Sequence, residues 1–127
     1  MTAVKGWIGI DLDGTLAEYH GWNNGKIGEP IQLMVERVKG WLAEGKSVRI
    51  MTARVGIQED AYSEESGSAA TKEFADCQRS LIEDWCLEHV GQKLPVTAAK
   101  DFAMIELWDD RVVRVEHNTG RILSVLR

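Results

Sequence analysis

The chain has 127 residues and a formal net charge of −5, with 44% hydrophobic and 28% charged residues and only 2 prolines. Such a composition excludes a disordered or collagen-like chain, and no run approaches the ~20 apolar residues of a membrane span. The acidic balance counts against a large nucleic-acid footprint, which needs clustered Lys and Arg, but not against a short phosphorylated strand end.

The length predicts a single domain over residues 1–127. The opening residues, MTAVKGW, lack the charged n-region and apolar stretch of a signal peptide, so the expected location is cytoplasmic. Cys77 and Cys86 lie nine positions apart in one predicted helix. They would point to opposite faces, about 13 Å apart along the axis. They can neither pair nor share a metal, and buried thiols are the expectation.

In chain order, residues 4–12 (VKGWIGIDL) read as a buried strand ending in a turn signal. A loop with three glycines and Asn23-Asn24 follows, and Pro30 suits the first turn of a helix. Ile31, Met34, Val35, Val38, Trp41 and Leu42 recur at helical spacing, with Gly45 just past the end. A second strand, 47–51, stops at Thr52-Ala53-Arg54. Residues 55–68 are polar and acidic and read as a loop. From 69 to 90 the pattern is helical again, with Phe74, Cys77, Leu81, Ile82 and Trp85 on one face and Gly91 at the end. Residues 94–97 form a brief third strand, and 104–108 a fourth that stops at Asp109-Asp110. The tail, 112–126, reads as two strands joined by Asn118-Thr119-Gly120.

This alternation predicts an α/β fold: a Rossmann-like, three-layer domain with a mostly parallel central sheet and a C-terminal β-hairpin. In such sheets the functional crevice lies beyond the carboxyl ends of the strands. Asp11, Asp13, Thr52, Asp109 and Asp110 would therefore meet at one edge, although they are distant in sequence.

Four or five carboxylates at one edge repel one another unless a cation sits among them. Hard oxygen ligands with open positions suit Mg²⁺. One carboxylate beside the metal could attack phosphorus. A second, two residues on, could protonate the leaving oxygen and then activate water. Gly14 permits a tight turn that aims backbone N–H groups at a phosphate. The Thr52 hydroxyl and the Lys100 ammonium could hold the same oxygens. Each piece has a plainer reading on its own: DxDGT as a strand end with a turn, TAR as a loop start, Asp109-Asp110 as a turn, Lys100 as a solvated lysine. Their order, along a chain of apolar runs, is what points to phosphoryl transfer.

The segments IGIDLDGTLA, RIMTAR and AAKDFAMIELWDDR resemble the motifs of the haloacid dehalogenase-like superfamily, over about residues 7–111. The resemblance implies a Mg²⁺-dependent phosphatase. Asp11 would be the nucleophile that forms an aspartyl-phosphate, and Asp13 the general acid/base, with its backbone carbonyl on Mg²⁺. Thr52 and Lys100 would hold phosphoryl oxygens. Gly14, Thr15, Ala53 and Arg54 are further candidate phosphate contacts, and Arg54 could instead bind a second anionic group. Asp109, with or without Asp110, would complete the metal site. Lys93 is a rival to Lys100. An acid at position 13 favours phosphate esters, because the dehalogenases of this superfamily lack it.

About fifteen residues separate Leu16 from Ile31, enough for a flap over 18–30 but not for a cap domain. The resemblance therefore implies a capless enzyme with an open site. Such a site admits a nucleotide, a nucleic-acid end, a phosphorylated sugar or a phosphoprotein, unless a second copy of the chain covers it. Tyr19, His20 and Trp22 in the flap are candidate substrate contacts, although Tyr19 and Trp22 read more simply as anchors of a glycine-rich loop. Trp7, Trp41, Trp85 and Trp108 read as core. Two other classes compete. A receiver-type phosphoacceptor domain has similar parts but a different motif order. An idle, Mg²⁺-binding interaction module would keep the residues and lack turnover.

Overall fold

The computed structural model describes residues 6–57 and 72–124. The first residues of the predicted first strand, most of the acidic loop, the predicted start of the second helix at 69–71 and the end of the tail lie outside the described residues. Four strands are seen: β1 (Trp7–Ile10), β2 (Ser47–Met51), β3 (Val96–Thr97) and β4 (Met104–Trp108). Two helices accompany them, α1 (Gln32–Ala43) and α2 (Lys72–His89). The strands form one sheet in the order β3-β2-β1-β4, and every pairing is parallel. The chain is thus α/β with a fully parallel four-stranded sheet.

Central β1 is apolar and buried at all four positions, as a strand paired on both sides and covered on both faces requires. Its register pairs Ile8 with Val48 and Ile10 with Ile50. Ile10, Val48 and Ile50 join Met34, Val35 and Val38 of α1 and Ile82, Trp85 and Cys86 of α2 in one apolar cluster. Two crossovers of one hand, moving the same way across a sheet, put their helices on one face. After β3 the chain reverses and adds β4 on the far side of β1. That reversal makes a topological switch point at the carboxyl ends of β1 and β4.

The opposite face has no helix among the described residues. Gly9 leaves room there for the Trp7 indole, since a Cβ at position 9 would stand 3.1 Å from that ring. Trp7 is 1% exposed; its Nε1–H donates to Asp101 at 2.8 Å and the Arg49 guanidinium lies 4.4 Å from its centroid. Residues 98–103, which join β3 to β4, therefore cross this face.

Several local expectations are corrected. Helix α1 starts at Gln32, and Pro30 instead pairs with Ala17 in the return arm of the flap. The end of α1 is as expected: Lys46 N–H reaches Trp41 C=O, Gly45 N–H reaches Leu42 C=O, and Gly45 has φ +83. Helix α2 buries Ala75, Gln78, Ile82, Trp85 and Cys86, leaving Leu81 and Cys77 exposed. The expectation of two buried thiols thus holds for Cys86 and fails for Cys77. An inward position goes instead to the polar Gln78, whose Oε1 accepts from buried Arg54 at 2.9 Å, so the buried face differs from the one set by apolar spacing. Trp7 and Trp85 are buried, and Trp41 packs on Trp108 at 5.1 Å between centroids. The tail does turn at Asn118–Gly120, but among the described residues its two arms meet only at a bridge between Val115 and Ile122, flanked by bonds from Glu116 N–H to Arg121 C=O and from Leu123 N–H to Arg114 C=O, rather than as two full strands. Among the described residues, no helix is long and apolar enough to cross a membrane.

Candidate functional site

The site begins where β1 ends. Asp11 N–H donates to Trp108 C=O at 2.9 Å, continuing the β1–β4 pairing past the strands. The chain then folds back on itself. Leu12 C=O accepts from the N–H groups of Thr15, Leu16 and Ala17, while buried Leu12 and Leu16 hold both ends of the turn in the core. Gly14 has φ +89, and a Cβ there would lie 2.7 Å from Asp110 Oδ2. Backbone conformation and the neighbouring carboxylate both require glycine.

This turn brings Asp11 against the turn that follows β4. Asp11, Asp109 and Asp110 each offer an oxygen, and the three oxygens lie within 4.8 Å of one another. Thr15 Oγ1 stands 3.3 Å from Asp11 Oδ2 and 3.2 Å from Asp110 Oδ1, so a single hydroxyl proton serves two carboxylates. Asp109 Oδ1 accepts from Arg111 N–H at 2.9 Å. The convergence expected from topology is therefore present, with both aspartates of the Asp109-Asp110 pair in the cluster.

Crowding has an electrostatic consequence. The Asp11 carboxyl is pushed up to about 7 from an ordinary 3.8, first by burial, then by the charge of Asp109, a hydrogen bond with Asp110, and the charges of Asp110 and Asp13. Between 3.8 and about 7 the unfolded chain has released this proton while the folded state still holds it. Asp11 therefore favours the metal-free fold at low pH and loses that contribution as pH rises through the window. The expected result is a melting temperature of metal-free protein that falls between about pH 4 and pH 7. Added Mg²⁺ should recover it at the upper end and do less at the lower, where protons compete for the same oxygens. Scanning calorimetry on wild type and Asp11→Asn checks this, since the variant should lose this contribution to the slope.

Asp13 has a different environment. Its carboxylate stands outside the three-oxygen cluster and accepts both arms of Arg54, at 2.7 and 2.8 Å. Arg54 Nη1 also donates to Gly25 C=O at 2.7 Å and Gln78 Oε1 at 2.9 Å, and its guanidinium lies 4.8 Å from the Trp22 centroid. The Arg54 side chain is 3% exposed. Arg54 lines the cavity, as expected of a residue near the phosphate, but most of its N–H groups are satisfied within the protein, by Asp13, the flap and α2.

A cavity of about 490 Å³ opens over the turns. Asp11, Asp13, Gly14, Thr52, Ala53, Arg54 and Asp110 line it, together with Tyr19, Trp22, Phe74 and Arg111. Buried Thr52 uses Oγ1 to accept from Arg54 N–H, which closes the 3-10 turn after β2. Thr15 belongs to the carboxylate cluster rather than to the cavity lining. Lys100 is not brought to the site. It is exposed on the 98–103 crossing, where Asp101 is tied to Trp7 at the start of β1 and the chain is led away from the strand ends. Lys93, also exposed, follows the carboxyl end of α2 and precedes β3, at the opposite end of the sheet. His20 is turned aside as well: its side chain is 84% exposed, 3.4 Å from Glu18, and lines a separate groove. Sequence reasoning missed Arg111, Gln78 and the position of Phe74 in the cavity wall. Adjacency to Asp109-Asp110 was the available signal for Arg111.

The flap itself is braced. Glu18 N–H donates to Glu29 C=O and Ile31 N–H to Leu16 C=O, both at 2.8 Å. Gly28 C=O accepts from Trp85 Nε1 at 3.0 Å, and a Cβ on Gly28 would run into the Glu18 carbonyl. Gly28→Ala is expected to lower stability by about 1–3 kcal/mol through this backbone collision, as read by urea unfolding.

No family model and no curated protein matches this chain. Among solved structures, it is similar to a conserved protein from Bacteroides thetaiotaomicron, with 20% identity and a TM-score of 0.50 over 84% of this chain and 76% of that one. At that identity the likeness concerns the fold alone.

Proposed function

We propose that this chain is a divalent-metal-dependent phosphatase that passes a phosphoryl group through Asp11, as the resemblance to the haloacid dehalogenase-like superfamily implies. The observation that carries the reading is the convergence of Asp11, Asp109 and Asp110 at the switch point of the sheet. Three carboxylate oxygens within 4.8 Å form a hard-oxygen donor set that suits Mg²⁺. When bound, the ion would neutralise charge on the carboxylates and on the transferring phosphoryl group.

Asp11 attacks phosphorus, and the bond from phosphorus to the ester oxygen breaks. The departing oxygen takes a proton from Asp13. Asp13 then accepts a proton from water, whose oxygen attacks phosphorus. The bond to Asp11 breaks, restoring the carboxylate and releasing inorganic phosphate. Each Asp13 oxygen accepts one N–H of Arg54, which leaves each a further lone pair for the proton exchanged with the leaving oxygen. The Thr52 hydroxyl and Arg111 are the groups at the cavity surface suited to phosphoryl oxygens.

The test is phosphate release from glycerol phosphate, sugar phosphates, nucleotides and phosphopeptides with Mg²⁺, repeated with excess chelator. Metal-dependent release is expected. One observation supports a second reading, an idle metal-binding interaction module: Lys100 is not among the residues that line the cavity. Metal binding with no release from any substrate would select that reading.

A further inference from the structure

We infer that the preferred ester carries a planar aromatic base, as a nucleoside monophosphate does, and that Tyr19 and Trp22 are its stacking platform. This deepens the phosphatase reading and rests on it. Tyr19 and Trp22 line the same cavity as Asp11 and Asp110, yet remain 46% and 44% exposed. Leaving two large aromatic rings half in water beside a cluster of carboxylates forgoes burial that either could have gained in the core.

Trp22 is nevertheless fixed. The Arg54 guanidinium stands over its ring, the Phe74 ring lies 6.0 Å away, and a Cβ on Gly25 would come within 3.2 Å of it. Gly25, at φ +82, lets the flap pass that close. An aromatic surface held rigid without being buried loses little freedom when a flat ring stacks on it. Through Arg54, moreover, the platform is tied to Asp13, the group assigned to the leaving oxygen.

The remaining lining decides among ester classes. Beyond the carboxylates, Gly14, Thr52 and Ala53, the described residues of the lining are three aromatic rings, Arg54 and Arg111. A sugar would need many hydrogen-bonding groups beyond those that hold the phosphate, and these residues supply few. A polynucleotide would need a track of cations. Among the described residues, Arg54 and Arg111 are the cations of this lining, and Arg54 is already paired with Asp13. The volume, about 490 Å³, falls in the range that holds small ligands, roughly 300–1,000 Å³.

The experiment has two arms. In the first, Asp11→Asn loaded with Mg²⁺ is titrated calorimetrically with the four common nucleoside 5′-monophosphates and with ribose 5-phosphate, without turnover. At least one nucleotide should bind about 10- to 100-fold tighter than ribose 5-phosphate, and adding Tyr19→Leu or Trp22→Leu should remove most of that margin. In the second, kcat/KM for the same compounds is measured on wild type and on each single platform variant, expecting a loss confined to nucleotides. Tyr19→Leu keeps the test decisive if Trp22→Leu disturbs the Arg54 contacts. Equal binding of ribose 5-phosphate, or a nucleotide preference untouched in both platform variants, overturns the inference. Turnover without ring preference defeats this inference alone. Ring preference without turnover in wild type defeats the phosphatase reading and leaves the stacking platform standing.

Discussion

Asp11→Asn is expected to reduce phosphate release by at least about three orders of magnitude, as loss of a nucleophile does, while making the metal-free protein more stable at neutral pH. Both effects come from one place. Asparagine has the same shape but offers phosphorus no carboxylate oxygen, so the covalent route closes. The same change removes one of three acidic groups whose oxygens lie within 4.8 Å of one another. In wild type, burial and the charges of Asp109, Asp110 and Asp13 oppose ionisation of Asp11. Most substitutions of partly buried groups destabilise, so a gain here is diagnostic of strain kept for function. With Mg²⁺ the order should reverse or narrow, because wild type gains more from the ion. Phosphate release and melting curves with and without metal check both halves.

Arg54→Met should have the largest effect on stability, a loss of about 3–5 kcal/mol, from breaking a buried ion pair by removing one partner. The guanidinium serves Asp13, Gly25 C=O and Gln78 and lies over Trp22, so one substitution unties the turn after β1, the flap and α2 together. Arg54→Lys should recover only part, since an ammonium cannot reproduce the planar fork that meets both Asp13 oxygens. The double variant Arg54→Met with Asp13→Asn should be less damaged than the sum of the single changes, because neither partner is then left charged and alone. Urea unfolding of the four proteins measures this directly. Additive losses would mean that the pair carries no coupling.

Much of the fold was legible because its signals are local. Four short apolar runs, each stopped by Asp, Thr or a turn, set the strands; Gly45 and Gly91 closed the helices. The carboxylate cluster was legible for the same reason, since parallel strands deliver their carboxyl ends to one edge. What escaped depends on contacts between distant segments. Gln78 takes an inward position beside buried Arg54, which a face read from apolar spacing does not show. Arg54 reads as a phosphate contact, and only the fold brings Gly25 and Trp22 of the flap onto it. Lys100 reads as a site lysine until Asp101 is seen bound to Trp7. His20 and Trp22 are near neighbours in sequence, yet the flap points one into the cavity wall and the other toward Glu18. Nothing in their spacing distinguishes them.

In the proposed reaction Asp11 itself carries the phosphoryl group. Acid quenching of wild-type protein during turnover with Mg²⁺ and substrate, followed by peptide mass analysis, tests it most directly. A hydroxylamine-sensitive phosphoryl adduct on the peptide that contains Asp11, located to that residue by fragmentation, is the predicted result. Rapid turnover with an adduct on a different residue would overturn the assignment of Asp11 as the nucleophile.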